Sequence, residues 1–440
     1  MTVQQQLAAS TLDINSRPGI VALISMTVLA TILAIVSPAQ AQTLTVLHSF
    51  AGMDGESPVA GFTVHGSTGF YGTAAFGGSF GGKCGSNGCG TVFQLTHRGA
   101  NWTVLPIYSF QGGSDGANPR AGVIVGSDGS LYGTTALGGI GSCAGYGFTG
   151  CGTVFKLTPP AAVCETVLCP WTETTLYRFA GLNDGANPWA GSLVFDPAGN
   201  LYGTTMDAGP LGMGTVYELK QTNGNWTLKV IYSFTGGNNG GRPYSGVILD
   251  GAGNLYGTTA GNGLFGSLYK LTPSGSGWTE TILHSFQDAS AGFYPWGGLL
   301  LDASGNLYGT TFDGGSTDGG TVYELSPTSG GWTFTTLYGG FCLSGPELGG
   351  SAASLVMDAA GSLYGTTMTS SGSCTLQNGS VFKLTPSGDG WIYTSLHNFL
   401  DLTDGARPLG NVVLDANGNV YGTSSLDGVG GDGVAWEITP

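Results

Sequence analysis

Five histidines and a recurrent Asp-Gly-Ala-x-Pro pentapeptide are the residues of this sequence that could carry acid–base or metal chemistry. His48, His284 and His397 each stand two residues before a phenylalanine, and the same place holds Tyr108, Tyr177 and Tyr232 in other stretches. A catalytic imidazole needs a fixed acidic or nucleophilic partner. A place that takes His or Tyr alike reads instead as packing or capping along a strand. His65 and His97 fall at or near turns, without a recurring partner. No Ser-His-Asp arrangement is brought together by the repeat, and Gly-x-Gly matches carry no weight among 81 glycines. No catalytic residue is assigned.

Asp115, Asp184 and Asp404 open the pentapeptides ending at Pro119, Pro188 and Pro408, with a looser copy from Asp54 to Pro58. Asn239 and Ala291 take the aspartate's place in two further copies. The plain reading is an Asx turn followed by glycine at positive φ. The functional reading is a ring of carboxylates for Ca²⁺ or a polar ligand. Calcium needs six to eight oxygens in one compact site, which one aspartate per repeat does not supply, so no metal is expected. The residue after each proline varies: Val59, Arg120, Trp189, Tyr244, Trp296 and Leu409. Variation inside a regular repeat is where a binding face can be written. Exposed Trp and Tyr there suit sugar rings or a peptide, and the bland alternative is a channel plugged by packed aromatics.

The element that must position these residues is Tyr-Gly-Thr-Thr, which occurs at Tyr132, Tyr202, Tyr256, Tyr308 and Tyr364, with looser copies at Tyr71 and Tyr421. Successive copies lie 52 residues (Tyr256 to Tyr308) to 70 residues (Tyr132 to Tyr202) apart. In the third copy, Ala190–Phe195 is a short apolar strand and Asp196-Pro197-Ala198-Gly199 a tight turn. Leu201–Thr205 is the second strand, and Gly203 inside it marks close backbone approach. A glycine-rich loop leads to Gly214–Leu219, the third strand. Asn223-Gly224 then turns the chain into Trp226–Phe234, whose alternation fits an outer strand with one wet face. Four antiparallel strands per repeat and seven repeats make a seven-bladed β-propeller. A parallel β-helix would need a period nearer one coil turn and fewer turns.

The last repeat lacks a fourth strand, and Leu44–Phe50 is a strand without a repeat. Leu44–Phe50 resembles the fourth strand Thr281–Phe286, so it is expected to complete the last blade and close the ring, removing an exposed sheet edge. The blades are then expected at about 59–110, 120–179, 189–234, 244–286, 296–341, 351–399 and 409–440, the last with strand 43–50. This is one all-β domain over 42–440.

Asn200–Thr205, the following glycines and Gly152-Thr-Val-Phe-Lys-Leu-Thr-Pro159 resemble the GloVer tandem repeat of bacterial exported proteins, and the resemblance runs over about residues 43–440. It implies export and a propeller-like fold, and no activity. Such proteins often carry a C-terminal surface anchor, and none is read here after the last blade.

Arg17 precedes the uncharged apolar run Ile20–Val36, and Ala39-Gln40-Ala41 has the small residues of a signal-peptide cleavage site. Residues 1–41 are therefore expected to be removed, the alternative being a retained anchor helix. Eight cysteines in an exported chain read as disulfides. Spacing pairs Cys84 with Cys89, Cys143 with Cys151 and Cys164 with Cys169, leaving Cys342 for Cys374. A formal charge of −15 with 12 Lys and Arg counts against nucleic acid and anionic membranes. The expectation is a secreted or cell-surface monomer that binds a glycan or protein without catalysis or cofactor. The alternative is a glycan-acting hydrolase or lyase. Ser387-Gly388-Asp389-Gly390-Trp391 resembles the Asp-box of sialidases, but the arginine cluster sialidases use is missing.

Overall fold

Each Tyr-Gly-Thr-Thr segment forms the second strand of a four-stranded antiparallel sheet, with Leu201–Thr205 between Val194–Phe195 and Thr215–Thr222, and Asn225–Ser233 outermost. The computed structural model describes residues 42–440 except 67–68, 82, 100, 146, 161–170, 262–264, 317, 341–352, 369–377, 389 and 400–402. Among the described residues there are seven such sheets, in chain order around a ring, and a two-residue hairpin inserted at Ala144–Gly145 and Phe148–Thr149. The protein is a seven-bladed β-propeller. Cys164, Cys169, Cys342, Cys374, Asp389 and residues 1–41, with the expected signal peptide, lie outside the described residues.

The second strands are buried on both faces, whereas the fourth strands alternate exposed and half-buried. The hydrophobic clusters therefore lie between sheets. Tyr132, Val154 and Phe179 of the second blade pack on Leu193, Leu201 and Tyr217 of the third. The ring closes the same way, with Phe50, Tyr421 and Ala435 of the last blade against Phe62, Phe70 and Phe93 of the first. Thr43–Ser49 pairs antiparallel with Val434–Thr439 as the missing fourth strand, from Thr43 opposite Thr439 to Ser49 opposite Val434. The first strands are shorter than expected: Val194–Phe195 is paired, but Ala190–Leu193 is not. Near the axis the blades converge until backbone meets backbone, Gly191 lying against Gly246 of the next blade.

In every blade an aromatic residue of the third strand lies on the glycine of the second, as Tyr217 does on Gly203 and Phe155 on Gly133. Tyr217, Tyr269 and Tyr323 are fully buried there, and their hydroxyls have no hydrogen-bond partner among the described residues. Trp436, in the last blade, donates its Nε1–H to Ser424 Oγ at 3.1 Å.

The linker between blades is a turn clamped at both ends. The Tyr108 hydroxyl donates to Asp115 Oδ2 at 3.1 Å and Tyr177 to Asp184 Oδ2 at 3.0 Å. His48 meets Asp54 at 2.6 Å and His397 meets Asp404 at 2.9 Å. The alternating Tyr/His place and the linker aspartate, which looked independent in the sequence, are two halves of one hydrogen bond. Where the aspartate is Ala291, Asp288 caps the turn instead, accepting from Ser290 N–H at 2.9 Å, and His284 stacks on Phe334 at 3.9 Å.

The residue before the proline of each described linker has positive φ: Ser57, Asn118, Asn187, Arg242, Tyr294 and Arg407, between 54° and 60°. Such backbone costs about 1–3 kcal/mol and is held by a bond to the preceding blade. Asn118 N–H donates to Cys89 O at 2.9 Å and Arg242 N–H to Met213 O at 2.8 Å. The proline then lies on the glycine that opens the preceding blade's third strand. Gly214 has φ 89°, and a Cβ there would sit 2.7 Å from Pro243 Cδ.

Three outcomes test this fold. Deleting Thr43–Ser49 exposes Val434–Thr439 as an edge and should lower the melting temperature and start aggregation on a light-scattering trace. Replacing Tyr217, Tyr269 or Tyr323 by Phe, the residue at this place in other blades, should stabilise by about 1 kcal/mol each. A lower urea midpoint would show that these hydroxyls are satisfied. Gly214→Ala should destabilise by roughly 2–4 kcal/mol. Gly224→Ala, at φ 84° with nothing within 4 Å of the added carbon, isolates the backbone part, and the two should differ by the contacts with Thr205 O, Pro243 Cδ and Met206 O.

Candidate functional site

Strand direction sorts the loops onto two ends of the ring. First–second strand turns and third–fourth hairpins share one end, and second–third loops and interblade linkers share the other. At the linker end, Val59, Arg120, Trp189, Tyr244, Trp296 and Leu409, from six different linkers, line one cavity of about 170 Å³ together with Ala190 and Met368. A second cavity of about 160 Å³, sharing Val59, Arg120, Ala190, Trp296 and Leu409, continues into the channel, where the wall turns polar with Ser192, Ser245, Ser354 and Asn411.

The second strands hold this wall in place. In Tyr-Gly-Thr-Thr the first threonine reaches the carbonyl of the residue that follows a mouth residue of the next blade. Thr73 Oγ1 donates to Ala121 O at 3.0 Å, Thr204 to Ser245 O at 2.8 Å, Thr366 to Gly410 O at 3.3 Å and Thr423 to Ala60 O at 2.9 Å. Arg120, Tyr244, Leu409 and Val59 are thereby each fixed one residue from a cross-blade hydrogen bond. Thr134, which precedes the Trp189 linker, has a buried Oγ1 without a partner among the described residues.

The rings at the mouth are in contact, Tyr244 and Phe312 stacking on Trp296 while Trp189 is tilted at 57° to Tyr244. The Arg120 guanidinium lies 4.4 Å above Trp189. Trp189 is 6.4 Å from Tyr244, Tyr244 is 5.1 Å from Trp296 at 20°, and Trp296 is 4.1 Å from Phe312 at 27°. All four mouth side chains are half-buried.

Asp115, Asp184 and Asp404 are not among the residues lining either cavity. Their carboxylates are engaged in the linker: Asp115 also accepts from Gln111 N–H at 2.8 Å and Asp184 from Ala180 N–H at 2.8 Å. The Tyr177 phenol, pushed up to about 12 by burial and the Asp184 carboxylate, stays a donor. The turn aspartates are likewise engaged, Asp196 Oδ1 accepting from Asn200 N–H at 2.8 Å. Among the described residues no group of three or more His, Cys, Asp or Glu is arranged to hold a metal.

Cys84 is bonded to Cys89 and Cys143 to Cys151, each within a second–third loop at the mouth end. The second–third loops and the linkers at this end expose Met53, Phe80, Ile140, Leu182, Leu211, Phe265 and Val429. The carboxyl that sequence reasoning missed is Asp313. It is buried in the fifth blade's loop with Oδ1 unpartnered among the described residues, and burial with the Asp318 charge pushes it up to about 6. Its counterpart Asp207 accepts from Asn187 Nδ2 at 2.9 Å. Phe293 stands where the counterpart linker has Ala186, and no motif flagged the difference.

At the opposite end, cavities of about 600 and 570 Å³ lie at blade seams, one against Trp226 and one against Trp102. His97 stacks on Trp102 there at 4.8 Å, and His65 packs on Tyr71 at 4.5 Å. No helix among the described residues is long and apolar enough to cross a membrane.

The chain is similar to two solved structures, of which the first, with a TM-score above 0.5, shares its fold. PorZ, a surface component of the type-IX secretion system of Porphyromonas gingivalis, is 13% identical with a TM-score of 0.51, over 89% of this chain and 48% of PorZ. The periplasmic gluconolactonase of Pseudomonas aeruginosa is 15% identical with a TM-score of 0.45, over 81% of this chain and 94% of that one. No curated protein matches the sequence. The Gloeobacter/Verrucomicrobia repeat matches residues 31–169, 140–339 and 261–440, and the chain belongs to that repeat family.

Proposed function

We propose that this chain is an exported, monomeric, non-catalytic binding module that takes the end of a glycan chain at the mouth of its central channel. The observation that carries this reading is the convergence of Val59, Arg120, Trp189, Tyr244, Trp296 and Leu409, the variable places of an otherwise repeated linker, on one cavity. The polar wall beneath, with three serines and an asparagine, offers hydroxyl and amide partners to a polyhydroxylated ligand. Glycoside hydrolysis uses a pair of carboxyl groups flanking the scissile bond, and the described residues lining the two cavities include no Asp or Glu. Export is supported by the two disulfides, which persist in oxidising compartments.

A second reading, a protein partner seated over the whole mouth end, is favoured by the exposed apolar side chains on its loops.

An oligosaccharide array run beside a hydrolysis assay separates the readings. Binding without turnover, weakened about ten-fold or more by Trp296→Ala with little change in melting temperature, is the expected result. Turnover abolished by Asp313→Asn would make the chain a glycan-acting enzyme. Capture of no oligosaccharide would leave the protein-partner reading.

A further inference from the structure

We infer a second binding site at the end of the ring away from the mouth. The groove between the last blade and the first takes a primary alkylammonium group, as a lysine side chain or a small amine carries, against Tyr421, Asp415 and Glu437.

The third strand sets one residue opposite the tyrosine of each Tyr-Gly-Thr-Thr, and from the second blade to the last its charge alternates. Lys156, Lys270 and Lys383 stand there in blades two, four and six. Glu218, Glu324 and Glu437 stand there in blades three, five and seven. In the lysine blades the ammonium lies over the tyrosine ring, 5.5 Å from the centre of Tyr132, 5.5 Å from Tyr256 and 5.0 Å from Tyr364. It also meets the aspartate of the first–second turn: Lys156 Nζ is 2.7 Å from Asp128 Oδ2, and Lys383 Nζ is 3.6 Å from Asp358 Oδ2. The chain itself therefore shows where a primary ammonium sits against this tyrosine and this aspartate, held by cation–π attraction and by charge.

In the last blade a second carboxylate replaces that ammonium. The Tyr421 hydroxyl donates to Glu437 Oε1 at 2.8 Å and lies 3.3 Å from Asp415 Oδ2. A hydroxyl has one proton, so it serves one carboxylate at a time. Burial and the bond to Glu437 push the Tyr421 phenol up, so the proton stays on it. Asp415 is otherwise held by neutral donors, the N–H groups of Asn417 at 2.8 Å and Asn419 at 2.9 Å. No Lys or Arg is among the described residues lining the groove. Two carboxylates converging in a concave site without a counter-charge favour a cation there.

The groove makes the place reachable. Its volume is about 570 Å³, and its lining joins Asp415, Glu437 and Tyr421 to Phe70, Trp102 and the exposed His97. The groove of about 600 Å³ between blades two and three is built alike, but Lys156 already supplies its cation. At the seams that follow blades three and five, Pro273 and Pro386 stand opposite Trp278 and Trp391, where the closing seam has His97 opposite Trp102. An open groove and paired carboxylates thus coincide at the closing seam. The aromatic lining suits methylenes leading to a charged head. Two carboxylates and one hydroxyl fall short of the six to eight oxygens that calcium takes.

The test titrates n-butylammonium chloride into the folded chain and follows the indole N–H resonance of Trp102, assigned with Trp102→Phe. Butanol and sodium chloride at matched concentrations are the controls. The expected result is a saturable shift with butylammonium alone. Glu437→Lys, which gives the last blade the ammonium that blades two, four and six hold, should abolish the shift and keep the melting temperature. Glu437→Gln should weaken binding about ten-fold. Lys156→Glu should create a second site, read at Trp226. An equal response to butanol or to sodium chloride, no response to butylammonium, or an undiminished response in Glu437→Lys would overturn the proposal. A blocked tripeptide with a central lysine, beside its ε-acetylated form, names the carrier. A response to the first and not the second assigns a lysine side chain, and a response to butylammonium without the peptide assigns a small amine.

Discussion

A proline of each described linker lies on a glycine of the blade before it, and the rest of the molecule depends on that contact between neighbours. A single four-stranded blade cannot bury both faces of its second strand. The hydrophobic effect is satisfied between blades, where Leu201 and Tyr217 of one sheet meet Tyr132 and Val154 of the next. That arrangement works only if the sheets stand at a fixed distance and angle. Gly214, Gly379 and Gly433, at φ from 89° to 103°, bring the backbone close enough for Pro243, Pro408 and Pro58 to settle on them.

The linker serves this contact from the other side. A residue such as Asn118 or Arg407 takes a left-handed conformation immediately before its proline, which an L side chain rarely adopts. Two opposed hydrogen bonds hold it: the backbone N–H to the preceding blade, and the carboxylate of the linker aspartate to a Tyr or His of the fourth strand. Once the linker is set, the residue after the proline emerges at the channel mouth. The same chemistry that joins blades therefore aims the one variable position of each linker at a common point. Stability and the candidate site share their parts, and a binding face can vary there without disturbing the ring.

The closing strand is subject to the same logic. Seven blades joined head to tail would leave a first and a last sheet with one bare face each. Pairing Thr43–Ser49 with Val434–Thr439 lets Phe50 pack against Phe93 of the first blade, and the aromatic contact at 5.0 Å is part of the cluster that joins the ends. His48, on that strand, then reaches Asp54 in the linker to blade one. The closing seam is built like the others.

From the sequence by itself came the period, the four strands and their turns, and the closure, because each depends on local pattern: Tyr-Gly-Thr-Thr, Asp-Pro-Ala-Gly, Asn-Gly, and an orphan strand resembling Thr281–Phe286. The places of Arg120, Trp189, Tyr244 and Trp296 in the linker were also legible, since they vary against a constant frame. Tertiary structure alone decided what those places do. Residues seven apart, such as Tyr108 and Asp115, become a hydrogen bond only when the linker folds back on its own strand. The stacking of Arg120 on Trp189 joins residues 69 positions apart (120 to 189) and depends on how neighbouring blades are set against each other. The unpartnered hydroxyls of Tyr217, Tyr269 and Tyr323 and the buried carboxyl of Asp313 were likewise invisible, because burial is a property of the neighbouring sheet and not of the residue's own strand.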